Sequence, residues 1–204
     1  MTTIIQNVNR SNPDMTMGHS QADKARSRER ILEQAAGQVR EMGLESVSVS
    51  KLMSSAKLTH GGFYGHFASR SELLLHALER ALDDGRAAFE AKNGTGPHDY
   101  CATVRGYLSR KHRDARASGC AIAALAGDVA RADEASREAM SSRIEQFAVN
   151  LGASMNQEDA DKALFAVSAL IGALVVSRVM VDEKRSDAVL AAAKRQLLAL
   201  NEDN

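Results

Sequence analysis

Tryptophan is absent from the 204 residues, and three Tyr and five Phe are the only aromatics. Proline occurs twice and cysteine twice. With so few helix breakers and so much alanine and leucine, the composition points to an all-α protein. Cys101 and Cys120 are too few for a disulfide scaffold and lack the CxxC spacing of a zinc or redox pair. No stretch offers about 18 uninterrupted apolar residues, and residues 1–22 contain no apolar segment of the secretory kind. A cytoplasmic protein without membrane attachment is therefore expected, and the sequon Asn93-Gly94-Thr95 is expected to go unused. The histidines show neither HxxxH nor HExxH spacing, so no metal is expected, and no cofactor either. Ser48-Val49-Ser50-Lys51 and Ser54-Ser55-Ala56-Lys57 match the SxxK of acyl-transfer enzymes, but the KTG and SDN partners are missing, and catalysis is not expected.

Charge of one sign is also lacking. Lys and Arg number 26, as do Asp and Glu, which excludes a wholly basic nucleic-acid coat. Up to Arg70, however, nine cations face six acids, a small basic bias in the first third of the chain. The same third holds the densest group of aromatics, Phe63, Tyr64 and Phe67. On a helix Phe63 and Phe67 share one face, while Tyr64 and His66 project elsewhere with exposed hydrogen-bonding tips.

Helical periodicity organises the remainder. Residues 1–22 are polar and aperiodic and read as a flexible N-terminal arm. A first helix is expected over Asp23–Met42, with Ile31, Leu32, Ala35, Val39 and Met42 on its apolar stripe and Gly43 as its left-handed cap. Ser48 caps a short second helix whose apolar face is Val49, Leu52, Met53 and Ala56. Ala56-Lys57-Leu58-Thr59 is the turn, and Thr59 caps a third helix, His60–Phe67. Ser69-Arg70-Ser71-Glu72 has capping-box spacing ahead of a fourth helix reaching Ala91. Two short helices joined by a four-residue turn, with a helix before them, describe a helix-turn-helix domain over residues 23–68. After a break at Asn93-Gly94-Thr95-Gly96-Pro97, helices are expected over Asp99–Ala115, Cys120–Arg131, Asp133–Leu151, Glu158–Val181 and Ser186–Leu200. The Glu158–Val181 helix carries so little polar surface that burial nearly all round is expected.

From Ser48 to Leu74 the sequence resembles the TetR family of transcriptional repressors. The resemblance rests on the capped helix, the short turn and the aromatic-Tyr-x-His-Phe motif Phe63-Tyr64-Gly65-His66-Phe67, continued by Ala68-Ser69-Arg70-Ser71-Glu72-Leu73-Leu74. It implies a sequence-specific repressor on a palindromic operator. Two departures stand out: Lys57 where such turns favour Gly, and Gly61, Gly62 and Gly65, which strip the reading element of side chains. The resemblance assigns Ser48, Tyr64, His66 and Arg70 to DNA phosphates, with the amides near Val49 and His60, and Ser50, His60, Gly61 and Gly62 to base edges. Lys57, Arg26 and Arg28 are further phosphate candidates.

The resemblance further implies that residues 69–204 bind a small-molecule effector and form a homodimer through the two C-terminal helices. Candidate pocket residues are Phe89, Tyr100, Tyr107, Met140, Phe147 and Phe165. Cys120, at a helix start, is a candidate thiol whose modification would release DNA, and a small buried core cysteine is the plainer alternative. The rival to the whole reading is a helical small-molecule-binding or enzymatic protein with a vestigial DNA-binding motif.

Overall fold

The computed structural model describes residues 13–93, 99–155 and 159–201. Nine α-helices and two 3-10 turns occur among them, with no strand. The first helix, α1 (Pro13–Met42), leads through a 3-10 turn, Leu44–Ser46, into α2 (Val49–Ser55) and a second 3-10 turn, His60–Gly65. Then follow α3 (Arg70–Asn93), α4 (Tyr100–Tyr107), α5 (Arg110–Asp114), α6 (Ala121–Val129), α7 (Glu134–Ser154), α8 (Ala160–Val179) and α9 (Glu183–Ala199).

The structure corrects four expectations. Residues 13–22 of the supposed arm are helical, because Pro13 suits a first helical turn and each further residue on a nucleated helix adds a hydrogen bond. Residues 1–12 of the arm lie outside the described residues, as do 94–97 of the expected break. The third helix is a 3-10 turn ending at Gly65, since three glycines among six residues cannot sustain an α-helix. The expected helix Asp99–Ala115 breaks at Leu108, where Ser109 starts α5 by accepting the His112 amide on its hydroxyl at 3.2 Å. Finally, α8 is not buried all round. Leu164, Phe165, Val175, Val176 and Val179 are exposed along one side, while Ala163, Ala166, Val167, Leu170 and Leu174 face the interior. By length and composition α8 could cross a membrane, but here it packs against α7 and α9.

Packing divides into two hydrophobic clusters. One joins Ile31, Ala35 and Val39 of α1 with Leu52, Met53, Phe63 and Phe67, and with Leu73, Leu78 and Leu82 of α3. It extends without interruption to Ile122, Leu125 and Val129 of α6. The other unites Tyr100 and Val104 of α4 with Leu151, Val167, Leu170, Leu190 and Leu197. Helix α6 thus shares a core with the helix-turn-helix, and Phe147 and Ile144 of α7 pack against both clusters.

Candidate nucleic-acid interface and sensor cluster

The geometry of the interface starts at the end of α2. The Leu58 amide donates to the Met53 carbonyl at 2.8 Å and the Lys57 amide to the Ser54 carbonyl at 3.0 Å. That pair of bonds is a Schellman cap, which requires a left-handed residue at position 57. Lys57 supplies it with φ 60, the one non-glycine residue of positive φ among those described. A side-chain-bearing residue there costs about 1 kcal/mol, and the lysine's ammonium stem projects into solvent. On α2, Ser50 and Lys51 are exposed, while Leu52 and Met53 anchor the helix. Ser48 occupies the N-cap, yet its hydroxyl makes no capping bond.

The 3-10 turn sits on Phe63 and Phe67, both buried, with ring centroids 5.7 Å apart and planes 29° apart. Tyr64 is 72% exposed, its ring edge-on to Phe63 at 5.2 Å. His60 and Gly61 are exposed beside it and Gly62 is half-buried. None of the three glycines here has a positive φ. A β-carbon added at Gly61 or Gly65 would meet nothing within 4 Å, and at Gly62 only ordinary contacts with Thr59 and Met53. The chain's own packing therefore requires no glycine at these positions.

The candidate cations are differently placed. Arg26 is exposed and paired with Asp23, and the Arg28 guanidinium lies over the Phe67 ring, 4.8 Å from its centroid. Arg70 pairs with Glu45 at 3.0 Å and leans on the Glu45 and Val47 carbonyls at 3.4 and 3.5 Å, holding α3 to the turn before α2. The His66 ring is only half exposed, contrary to the expected free tip: Nδ1 is buried without a hydrogen-bond partner. Desolvation first, then Lys24 and Arg28, hold its pKa below the ordinary 6.5.

Of the pocket candidates, the structure brings together Tyr107, Cys120 and Phe147 and disperses the rest. The Tyr107 ring stacks edge-on against His112 at 4.6 Å and lies 5.8 Å from Phe147. Phe165 points outward on α8 and is 58% exposed, because α8 turns its opposite face to the core. Tyr100 is buried with its hydroxyl donating to the Leu197 carbonyl at 2.8 Å, a tie between α4 and α9. Burial, then Cys101, push that phenol up to about 12. Met140 fills the first core cluster, and Phe89 is half-buried on α3.

Around Cys120 the structure adds residues that sequence reasoning missed. The Cys120 amide donates to His112 Nε2 at 3.1 Å, so His112 Nδ1 is the donor toward the Tyr107 carbonyl at 2.7 Å. Arg178 arrives from α8, its Nε donating to the Arg113 carbonyl at 3.0 Å and its Nη2 to the His112 carbonyl at 3.2 Å. No sequence motif links positions 107, 112, 120 and 178, and only the fold assembles them.

Residues 31–77 match the family model described as bacterial regulatory proteins, tetR family. No curated protein matches the chain. Among solved structures, a TetR-family transcriptional regulator from Cytophaga hutchinsonii is similar, with 18% identity, 87% of this chain and 96% of that one covered, and a TM-score of 0.73. The reduced form of NemR from E. coli is similar at 20% identity, 84% and 94% coverage and TM-score 0.69. AibR, solved with isovaleryl coenzyme A and operator DNA, is similar at 15% identity, 81% and 97% coverage and TM-score 0.55.

Proposed function

We propose that the chain is a homodimeric repressor of a palindromic operator, on the match of residues 31–77 to the model of bacterial regulatory proteins of the tetR family and the likeness of its all-α fold to TetR-family transcriptional regulators. The observation that carries this reading is the bare surface at His60–Gly65, where three glycines that packing does not need lie beside exposed Tyr64 and His60. A surface without side chains lets the DNA backbone and base edges come close to the main chain. Ser50, His60, Gly61 and Gly62 face the bases, and Ser48, Lys57, Tyr64, His66, Arg26, Arg28 and Arg70 the phosphates. For Arg70 that role requires sharing its guanidinium with Glu45, and for Arg28 leaving Phe67.

The dimer is supported by the exposed apolar side of α8 together with Ala188, Ala191, Ala192 and Ala199, exposed on α9. Paired across a two-fold axis, these faces form a four-helix bundle and set the spacing of the reading heads. Residues 23–68 read DNA, while residues 69–204 dimerise and sense the effector, with α3 and α6 packed in the same core as the helix-turn-helix. The effector is a small molecule or a modification of Cys120, near Tyr107 and Phe147. It acts by binding or forming preferentially in the conformation that does not fit DNA. Among proteins of this fold, AibR has been solved with both a small molecule and operator DNA.

Footprinting upstream of the chain's own gene tests the operator. Protection of two half-sites and affinity falling steeply with salt are expected. No protection at low salt there or beside neighbouring genes overturns the proposal. Cys120→Ser is expected to keep DNA binding and to lose release by oxidants or electrophiles, measured by the same assay.

A further inference from the structure

The Tyr107 hydroxyl is buried and has no hydrogen-bond partner. Buried hydroxyls without partners are rare in folded proteins and ask for an explanation. The ring cannot swing the group elsewhere, since His112 and Phe147 hold it from two sides. What the hydroxyl faces is Cys120: burial first, then the neighbouring thiol, push the phenol well above its ordinary pKa. Sulfur is a weak acceptor and leaves the phenol proton poorly used.

Arg178 is unsatisfied in the complementary sense. Its two hydrogen bonds run to backbone carbonyls, and among the described residues no carboxylate pairs with it. Burial lowers its pKa, while charge placed on Cys120 or Tyr107 would raise it. Cys120 is the N-cap of the nine-residue α6 but makes no side-chain capping bond. Its backbone is fixed through His112, and its sulfur lies within electrostatic reach of both the Tyr107 hydroxyl, for which it is a weak acceptor, and the Arg178 guanidinium, which has no carboxylate in direct contact among the described residues. The surroundings are tight. A β-carbon at Gly119 would fall 2.5 Å from the Ala115 carbonyl and 3.2 Å from Arg178.

We propose that this cluster is a receptor for a single oxygen atom on Cys120, with Tyr107 and Arg178 as its two donors, and that the modification held there is the sulfenic acid made by a hydroperoxide. It rests on Cys120 being a regulatory thiol and deepens that reading by naming the modifier and its stabilisers. In the step, the sulfur attacks the distal oxygen of ROOH and the O–O bond breaks. The sulfur loses two electrons, the peroxide is reduced to ROH, and the thiol proton ends on the leaving oxygen. The new S–O oxygen accepts the Tyr107 proton in a hydrogen bond, and Arg178 balances negative charge when the sulfenic acid ionises.

The test uses full-length protein treated with hydrogen peroxide and trapped at intervals with dimedone, with the Cys120 peptide read by mass spectrometry. A trappable sulfenic acid at Cys120 is expected in the wild type. In Tyr107→Phe, which removes an unpartnered hydroxyl and is expected to melt no lower than wild type when reduced, the sulfenic acid should decay about tenfold faster. Arg178→Gln should act in the same direction. An unchanged lifetime in Tyr107→Phe, or a disulfide between Cys120 and Cys101 in the wild type, overturns the inference. A Tyr107-dependent lifetime in a protein that protects no operator would leave it standing and sink the repressor reading alone.

Discussion

Gly61 and Gly65 show at single-residue scale how function can be read from an unfilled space. Neither has a conformation that needs glycine, and neither is crowded. Replacing either with alanine removes chain entropy from the unfolded state and should stabilise the fold by about 0.5 kcal/mol. The same methyl would stand in the path of DNA, so operator affinity should fall at least about tenfold, a loss of roughly 1.4 kcal/mol. Melting curves and gel-shift titrations of Gly61→Ala and Gly65→Ala check both halves; unchanged affinity would mean the bare surface is not a DNA contact. His66 supports a second prediction at this scale. Its folded pKa lies below 6.5, so as pH falls the unfolded chain takes up the proton first. Stability is complete above the unfolded pKa and is lost as pH drops through about 6.5 toward the folded value. The melting temperature of the wild type should fall more steeply on acidification than that of His66→Gln.

Helix α6 matters at the scale of elements because it is gripped at both ends by the half that carries the helix-turn-helix. On the approach to its N-terminus, Arg40 of α1 donates to the Ala117 carbonyl at 2.6 Å, and the same guanidinium reaches the Ala81 carbonyl at 3.1 Å and Asp84 at 3.3 Å. At its C-terminus, the Asp128 carboxylate accepts the Leu44 amide at 3.0 Å, against Gly43, whose φ is 90 and which has no room for a β-carbon beside that oxygen. Nine residues make a strut of roughly 14 Å, with Cys120 at one end and the entry to α2 at the other. Asp128→Ala leaves the part-buried Leu44 amide unpaired and should cost about 1–2 kcal/mol. It should also weaken the link between the thiol and DNA, so that oxidised and reduced forms of the variant differ less in operator affinity than those of the wild type. Equal coupling in both proteins would remove α6 from the signal path. Little of this was legible beforehand. Periodicity located α6 within a residue or two, but Asp128 and Leu44 lie 84 positions apart, and no spacing rule relates them. The break at Leu108 was equally hidden, because Ser109 is an ordinary helix residue until its hydroxyl is seen to cap the His112 amide.

For the whole molecule, the exposed apolar side of α8 is the surface on which the proposed dimer depends. Phe165, Val176 and Val179 stand exposed in the single chain, so replacing them costs the monomer's fold little. Phe165→Glu should therefore leave helical content intact, convert a dimer to monomers in sedimentation, and reduce operator affinity by about a hundredfold through loss of the second reading head. A variant that remained dimeric would place the interface elsewhere.

The sequence by itself determined the all-α class and the helix-turn-helix. Both are local properties, written in residues three or four apart: the Phe63 and Phe67 pair, the left-handed turn at position 57, the cap at Ser69 that accepts the Glu72 amide at 3.1 Å. Phe63 and Phe67 proved buried and Tyr64 exposed as their spacing implied. Tertiary structure decided which way α8 faces, which pocket candidates meet, and what surrounds Cys120. An apolar helix can be buried by its own chain or by a second copy with the same composition, and only packing shows that Phe165 points out while Leu170 points in. The cluster of Tyr107, His112, Cys120 and Arg178 draws on α4, α5, the start of α6 and α8, and its chemistry exists only once folding has brought a buried hydroxyl and a half-buried guanidinium beside one sulfur.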